Sequence, residues 1–335
     1  MRKYYSFVLF SFLLVLFCIS NVCVASAAMR NLLSEFNNAT NIFTYDNSHE
    51  AVGGLNKNID YEKSLNQIDG LIKQGLHVDD AVGRACYLAL NISYLYKKGS
   101  SEELNRAEAF CIALIKRLAK AKADFKEVLG EKFLGSKSKE AANNLTNNLL
   151  KTLLEAGADP NKYSGKRSLL NEIFHDSPYN ESQKNSPKWN DQKAKMNLER
   201  AKMLIEHKVS LGSLSYNYYV CGSNGDTAMA ELLKNTYLRR MLNGYISVED
   251  EKKQFEYISN MLELLRNAGA DPKDAKKYLD GLREEYRNTP EALKYIDRVE
   301  KLINKSSFCS LGNVGLLNYG ILFLSVLIAK KRSKK

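Results

Sequence analysis

The chain has 335 residues, with 49 Lys plus Arg against 38 Asp plus Glu and a formal net charge of +11. That length is too great for a disulfide-stapled miniprotein and suits one elongated domain or two compact ones. A 44% apolar share beside 26% charged residues excludes wholesale disorder, and 5 Pro in a Lys-, Glu-, Leu- and Asn-heavy vocabulary favours helices over a sandwich or barrel.

Residues 1–28 read as a signal peptide. Arg2 and Lys3 form a basic start, Phe7 to Ile19 an apolar run without a charge, and Ala25-Ser26-Ala27 the small residues a signal peptidase accepts. The alternative is an uncleaved signal-anchor helix; either places the following chain outside the cytoplasm. Phe17 and Val22 precede Cys18 and Cys23, where a lipobox needs a small side chain. Residues 29–59 are rich in Asn, Ser and Thr, carry Gly53 and Gly54 together, and read as a loose lead-in.

Helices are predicted around Ala81–Tyr96 and Glu102–Lys120, with a turn centred near Lys98 and Gly99. Cys86 and Cys111 lie equally far from that turn, so antiparallel helices bring them level. In an oxidising compartment they are a candidate disulfide; two buried free thiols are the alternative, since a bridge needs Cβ atoms within ~4 Å. Ile112 to Lys139 carries eight positive and three negative residues. With only Phe125 and Phe133 interleaved, it reads as a solvated helix face before a nucleic-acid surface.

Self-similarity organises the middle of the chain. LLKTLLEAGADPN from Leu149 matches MLELLRNAGADPK from Met261, with weaker echoes at Ile68, Leu114 and Ala201. Aligning Gly157 with Gly269 places Gly75, Lys122 and Lys208 at the equivalent position, at spacings of 47, 35, 51 and 61 residues. Leu149, Leu150, Leu153 and Leu154 form one apolar stripe; Gly157 can adopt the left-handed conformation that ends a helix, and Pro160 cannot continue one. Ser168 is placed to cap a helix starting at Leu169, and Thr227 one starting at Ala228. A short helix pair with one apolar stripe cannot bury itself alone, whereas a stack of them can.

These segments resemble the ankyrin repeat family. EAGADPN at Glu155–Asn161 and NAGADPK at Asn267–Lys273 are similar to the end of that family's second helix and its hairpin entry. GKRSLL at Gly165–Leu170 and GDTAMA at Gly225–Ala230 stand where the family writes G-x-T-P-L-H. Leu170 and Ala230 occupy the histidine's place, and the spacing is irregular. The resemblance covers roughly residues 60–290 and implies an all-α, ankyrin-like helical repeat solenoid with short hairpin loops that binds protein partners. An α-hairpin array of another kind is the alternative.

Asp176 to Asp191 reads as an insertion loop, holding the sole tryptophan, Trp189. Trp189 is a candidate protein-binding anchor or a packed tether of its loop. In Leu214–Val220 (LSYNYYV), an extended strand puts Tyr216 and Tyr218 on one face and Tyr219 on the other. Tyrosines give large contact area at low entropic cost, so all three are candidate binding residues; packing against neighbouring repeats is the alternative. Residues 291–307 form an amphipathic helix with Leu293, Ile296, Val299, Leu302 and Ile303 on one face, a cap or a stalk. Phe308–Ala329 is predicted to span a membrane, although Asn313 and Asn318 weaken its first half. Residues 330–335, KKRSKK, mark the cytoplasmic flank.

No catalytic motif emerges. His49, His77, His175 and His207 pair with no ligand at metal spacing, and no Walker loop, G-x-S-x-G or G-x-G-x-x-G occurs. The expectation is a membrane-anchored interaction module, not an enzyme, without cofactor, nucleic acid or small-molecule substrate. A self-associating structural protein is the second reading, and an enzyme with an unrecognised site a remote third. Arg2, Lys3 and the tail hold much of the positive excess: residues 29–329 keep 42 basic side chains against 38 acidic ones.

Overall fold

A computed structural model describes residues 26–45, 52–130, 145–162, 168–176, 178–180, 188–212, 227–235, 238, 242 and 247–304. It is predominantly helical and divides into two compact units, Met1–Gly165 and Lys166–Lys335. The signal segment before residue 26, residues 305–335 and the predicted span within them lie outside the described residues. Among the described residues, no helix is long and apolar enough to cross a membrane.

The first unit opens on a helix over residues 26–39 (α1), then an antiparallel ribbon of β1 (Phe43–Tyr45) and β2 (Val52–Leu55). Composition implies a loose lead-in over residues 29–59; of its described residues, 29–39 are helical and 43–45 pair with 52–55. Phe36, Ile42 and Phe43 are buried, and Arg84 donates to the Thr40 hydroxyl and carbonyl at 3.2 and 3.1 Å. A few well-spaced apolar side chains outweigh the polar average. Helices α2 (Tyr61–Lys73), α3 (Val78–Lys98), α4 (Glu102–Lys120) and α5 (Asn147–Glu155) follow. The Ser101 side chain accepts the Leu104 N–H, Glu102 and Glu103 complement the positive end of α4, and Arg117 and Lys120 its negative end. Leu104, Ala107, Phe110, Cys111, Leu114, Ile115 and Leu118 recur at helical spacing and are buried, so α4 is the axis against which α2, α3 and α5 pack.

In the second unit α6 (Leu169–His175) is capped by Ser168, as its position predicts. A short ribbon follows, β3 (Tyr179–Asn180) against β4 (Lys188–Trp189), then α7 (Asp191–Glu206) and α8 (Ala228–Asn235). Helices α9 (Val248–Asn267), α10 (Lys273–Glu285) and α11 (Pro290–Asn304) complete it. The predicted insertion loop thus begins and ends as a paired ribbon. Thr227 departs from its expected role. Its carbonyl accepts the Glu231 N–H, but its hydroxyl is buried without a hydrogen-bond partner among the described residues. Helix α11 packs on α9 and α10 through Ala292, Ile296, Val299 and Ile303, so it caps this unit.

Five helices end alike. Gly75, Lys122, Gly157, Lys208 and Gly269 all have positive φ, at 95, 66, 102, 61 and 84°. In each case the following N–H donates at 3.0 Å to a leucine carbonyl one turn back: Leu71, Leu118, Leu153, Leu204 or Leu265. Those leucines are buried, as are the residues that reach back to them, Leu76, Ala123, Ala158, Val209 and Ala270. This left-handed ending satisfies carbonyls that the helix leaves open and adds an apolar clasp. After three of them an aspartate closes the turn: Asp124, Asp159 and Asp271 each accept at 2.9 Å from the N–H two residues on. In the first unit successive turns are tied in a row. Asp79 accepts the Asp124 N–H at 2.6 Å, the Lys126 carbonyl accepts the Asp159 N–H at 3.1 Å, and Lys162 pairs with Glu127 at 3.2 Å.

Candidate functional site

Trp189 is a structural anchor for its ribbon. Opposite Tyr179 in the register, it meets that ring edge-on at 5.2 Å and the Tyr257 ring of α9 at 5.9 Å. Its indole N–H donates to Asp191 at 2.8 Å, and Lys253 lies 3.3 Å from the other oxygen of the same carboxylate. Tyr179 is 1% exposed, and its hydroxyl donates to Gln254 at 2.6 Å. Burial pushes the Tyr257 phenol well above its usual range, keeping it protonated.

Beneath the ribbon lies a polar layer. The Asn197 amide donates to the Asp176 carbonyl at 2.5 Å, closing the end of α6, and Lys193 pairs with the Asp176 carboxylate at 2.7 Å. Arg200 is buried; desolvation lowers its pKa, and the Asp176 charge opposes that shift. These groups join α6, α7, α9 and the ribbon, while Asn197 Oδ1 and Gln254 Nε2 are buried without a hydrogen-bond partner among the described residues.

The first unit brings Cys86 and Cys111 together on α3 and α4 as free, buried thiols. Burial pushes the Cys86 thiol up to about 12, and Cys111 well above its ordinary value through burial, Cys86 and Glu108 in that order. The Cys111 sulfur donates weakly to the Ala85 carbonyl at 3.7 Å. Thiols so hidden and protonated are not nucleophiles. Beside them Glu108, 9% exposed, accepts from the Thr146 hydroxyl, from Tyr96 at 3.4 Å and from Asn148 at 3.4 Å. It joins α3, α4 and the start of α5. Burial, then the Glu108 charge and hydrogen bond, push Tyr96 up to about 12. Sequence reading missed Glu108 because its partners lie up to 40 residues away.

Tyr216, Tyr218 and Tyr219 lie outside the described residues. No group of three or more His, Cys, Asp or Glu that could hold a metal occurs among the described residues. His77 pairs with Asp80 at 3.3 Å, and His207 Nδ1 lies 2.9 Å from the Met203 carbonyl. An open depression of about 360 Å³ lies where β2 meets the α3–α4 turn, lined by Gly54, Leu55, Leu95, Ser101, Glu103 and Leu104. Backbone and Ser101 hydrogen bonds hold the Glu103 carboxyl below its usual range. No family model, curated protein or solved structure matches this chain.

Proposed function

We propose that the chain is a membrane-anchored, ankyrin-like protein-interaction module displayed outside the cytoplasm. The observation that supports this most is the fivefold helix ending, whose positive-φ residues are the positions aligned from sequence. Helices that end alike over buried leucines, with turns bonded in a row, give a scaffold whose exposed loop tips serve for recognition. The polar clusters favour the same reading, since their groups are engaged in holding helices together. The signal-like start, the apolar segment 308–329 and the basic tail supply the topology of the proposal.

A membrane-impermeant amine reagent applied to intact cells tests the placement. Lysines between residues 60 and 300 should be labelled and Lys330–Lys335 spared. The reverse pattern overturns the reading. Crosslinking on the same cells distinguishes a foreign partner, which the proposal requires, from self-association alone, which replaces it with an envelope protein built of copies of itself.

A further inference from the structure

The way α11 is held has a consequence for how the second unit meets the membrane, on the reading that residues 308–329 span it. Helix α11 is amphipathic, and its apolar face is spent on its own unit: Ala292, Ile296, Val299 and Ile303 are buried. Its outer edge is held as well. Arg283 of α10 donates to Asp297 at 3.0 Å and to Glu300, while Arg266 of α9 donates to the Leu302 carbonyl at 3.1 Å. Contacts between α9 and α11 advance in the same direction along both helices. The Tyr295 hydroxyl donates to Glu251, the Arg298 guanidinium lies 3.9 Å from the Phe255 ring centre, and Arg266 reaches Leu302. The two helices therefore run side by side with their C-terminal ends level.

From Asn304 the chain has only residues 305–307 before the predicted span at Phe308. Fully extended, that stretch reaches roughly 14 Å, which leaves no room for a stalk. We propose that the second unit stands end-on against the lipid headgroups, with the C-terminal ends of α9 and α11 facing the bilayer. The exposed residues of that end, Asn267, Lys301 and Asn304, are polar, and the Lys301 ammonium suits phosphate-bearing headgroups; Arg266 is held by the Leu302 carbonyl and Glu263 and stays with its own unit. The N-terminal end of α9, with Glu249, Asp250 and Glu251 in its first turn, faces away. The 20 residues of α9 separate its two ends by about 30 Å.

The test uses the full chain in phosphatidylcholine vesicles, with Cys18, Cys23, Cys221 and Cys309 replaced by Ser. A fluorophore is placed at Asn267→Cys, Lys301→Cys or Glu249→Cys, and a short-range quencher is carried on the headgroups. Quenching at 267 and 301 should be several-fold stronger than at 249. Equal quenching at both ends, stronger quenching at 249, or none at any position overturns the end-on placement while leaving the span intact. Failure of the unlabelled chain to float with the vesicles overturns the span reading, and the proposal with it. Labels at both 267 and 301 keep the result independent of how one variant folds.

Discussion

The residues that end the helices differ in chemistry but share a backbone conformation. Gly157 is suited to φ of 102° and a Cβ there would meet nothing within 4 Å, so its constraint is torsional. Lys122 and Lys208 adopt the same region with a side chain, at a cost of about 1–2 kcal/mol each that glycine avoids. After the greater flexibility glycine gives the unfolded chain, Lys122→Gly and Lys208→Gly should each stabilise by about 0.5–1 kcal/mol. Denaturant unfolding of the single variants checks this; a loss of stability at both positions contradicts the account. The buried thiols make a second prediction. Cys86 rises from 9.0 to about 12 on folding, so the folded state holds its proton where the unfolded state releases it. Stability from this protonated thiol is fully present below about pH 9 and falls as pH rises toward 12, at about 1.4 kcal/mol per pH unit and titrating thiol. The difference in unfolding free energy between the parent and the Cys86→Ala/Cys111→Ala variant should therefore shrink between pH 8 and pH 10.5. A pH-independent difference would show that the thiols do not carry the effect.

At the scale of elements, the β3–β4 ribbon depends on packing that is distant in sequence. Trp189→Ala removes the ring held between Tyr179 and Tyr257 while sparing the ladder. Trp189 is only half-buried, so the loss should be about 2 kcal/mol, below the ~3–5 kcal/mol of a fully buried aromatic. Thermal unfolding measures it, and proteolysis within residues 181–187 should quicken; an unchanged melting temperature sinks the tether assignment. The helix boundaries here were legible because their signals are local. Ser168 caps where its position predicts, the helix expected around Glu102–Lys120 forms over those residues, and the aligned glycines end their helices. The N-terminal ribbon and the Trp189 contacts were not legible, because their determinants act through space. Phe36, Ile42 and Phe43 are three apolar residues in a polar stretch, and Tyr257 lies far along the chain from Trp189. Thr227 shows the limit of a local signal, since a residue at a cap position need not use its hydroxyl there.

For the whole molecule, the division at Gly165 and Lys166 cuts across the 60–290 region that self-similarity marks as one array. The helix ending recurs on both sides of that division: Gly75, Lys122 and Gly157 lie in the first unit, Lys208 and Gly269 in the second. Net charge is likewise unevenly written, with the ends carrying much of the excess and the described body nearly balanced. The depression beside β2 and the recognition surface of the proposal thus belong to a body without a strong field of either sign, where shape and local hydrogen bonding govern selectivity.

The shared helix ending also bears on how such a chain can drift. Its hold comes from main-chain hydrogen bonds and a buried leucine, neither of which depends on what side chain occupies the left-handed position. Substitution there keeps that hold at a torsional cost of about 1–2 kcal/mol, and two of the five sites carry lysine. A search keyed to glycine would pass over those two. What the five sites hold in common is a torsion angle, and their side chains differ.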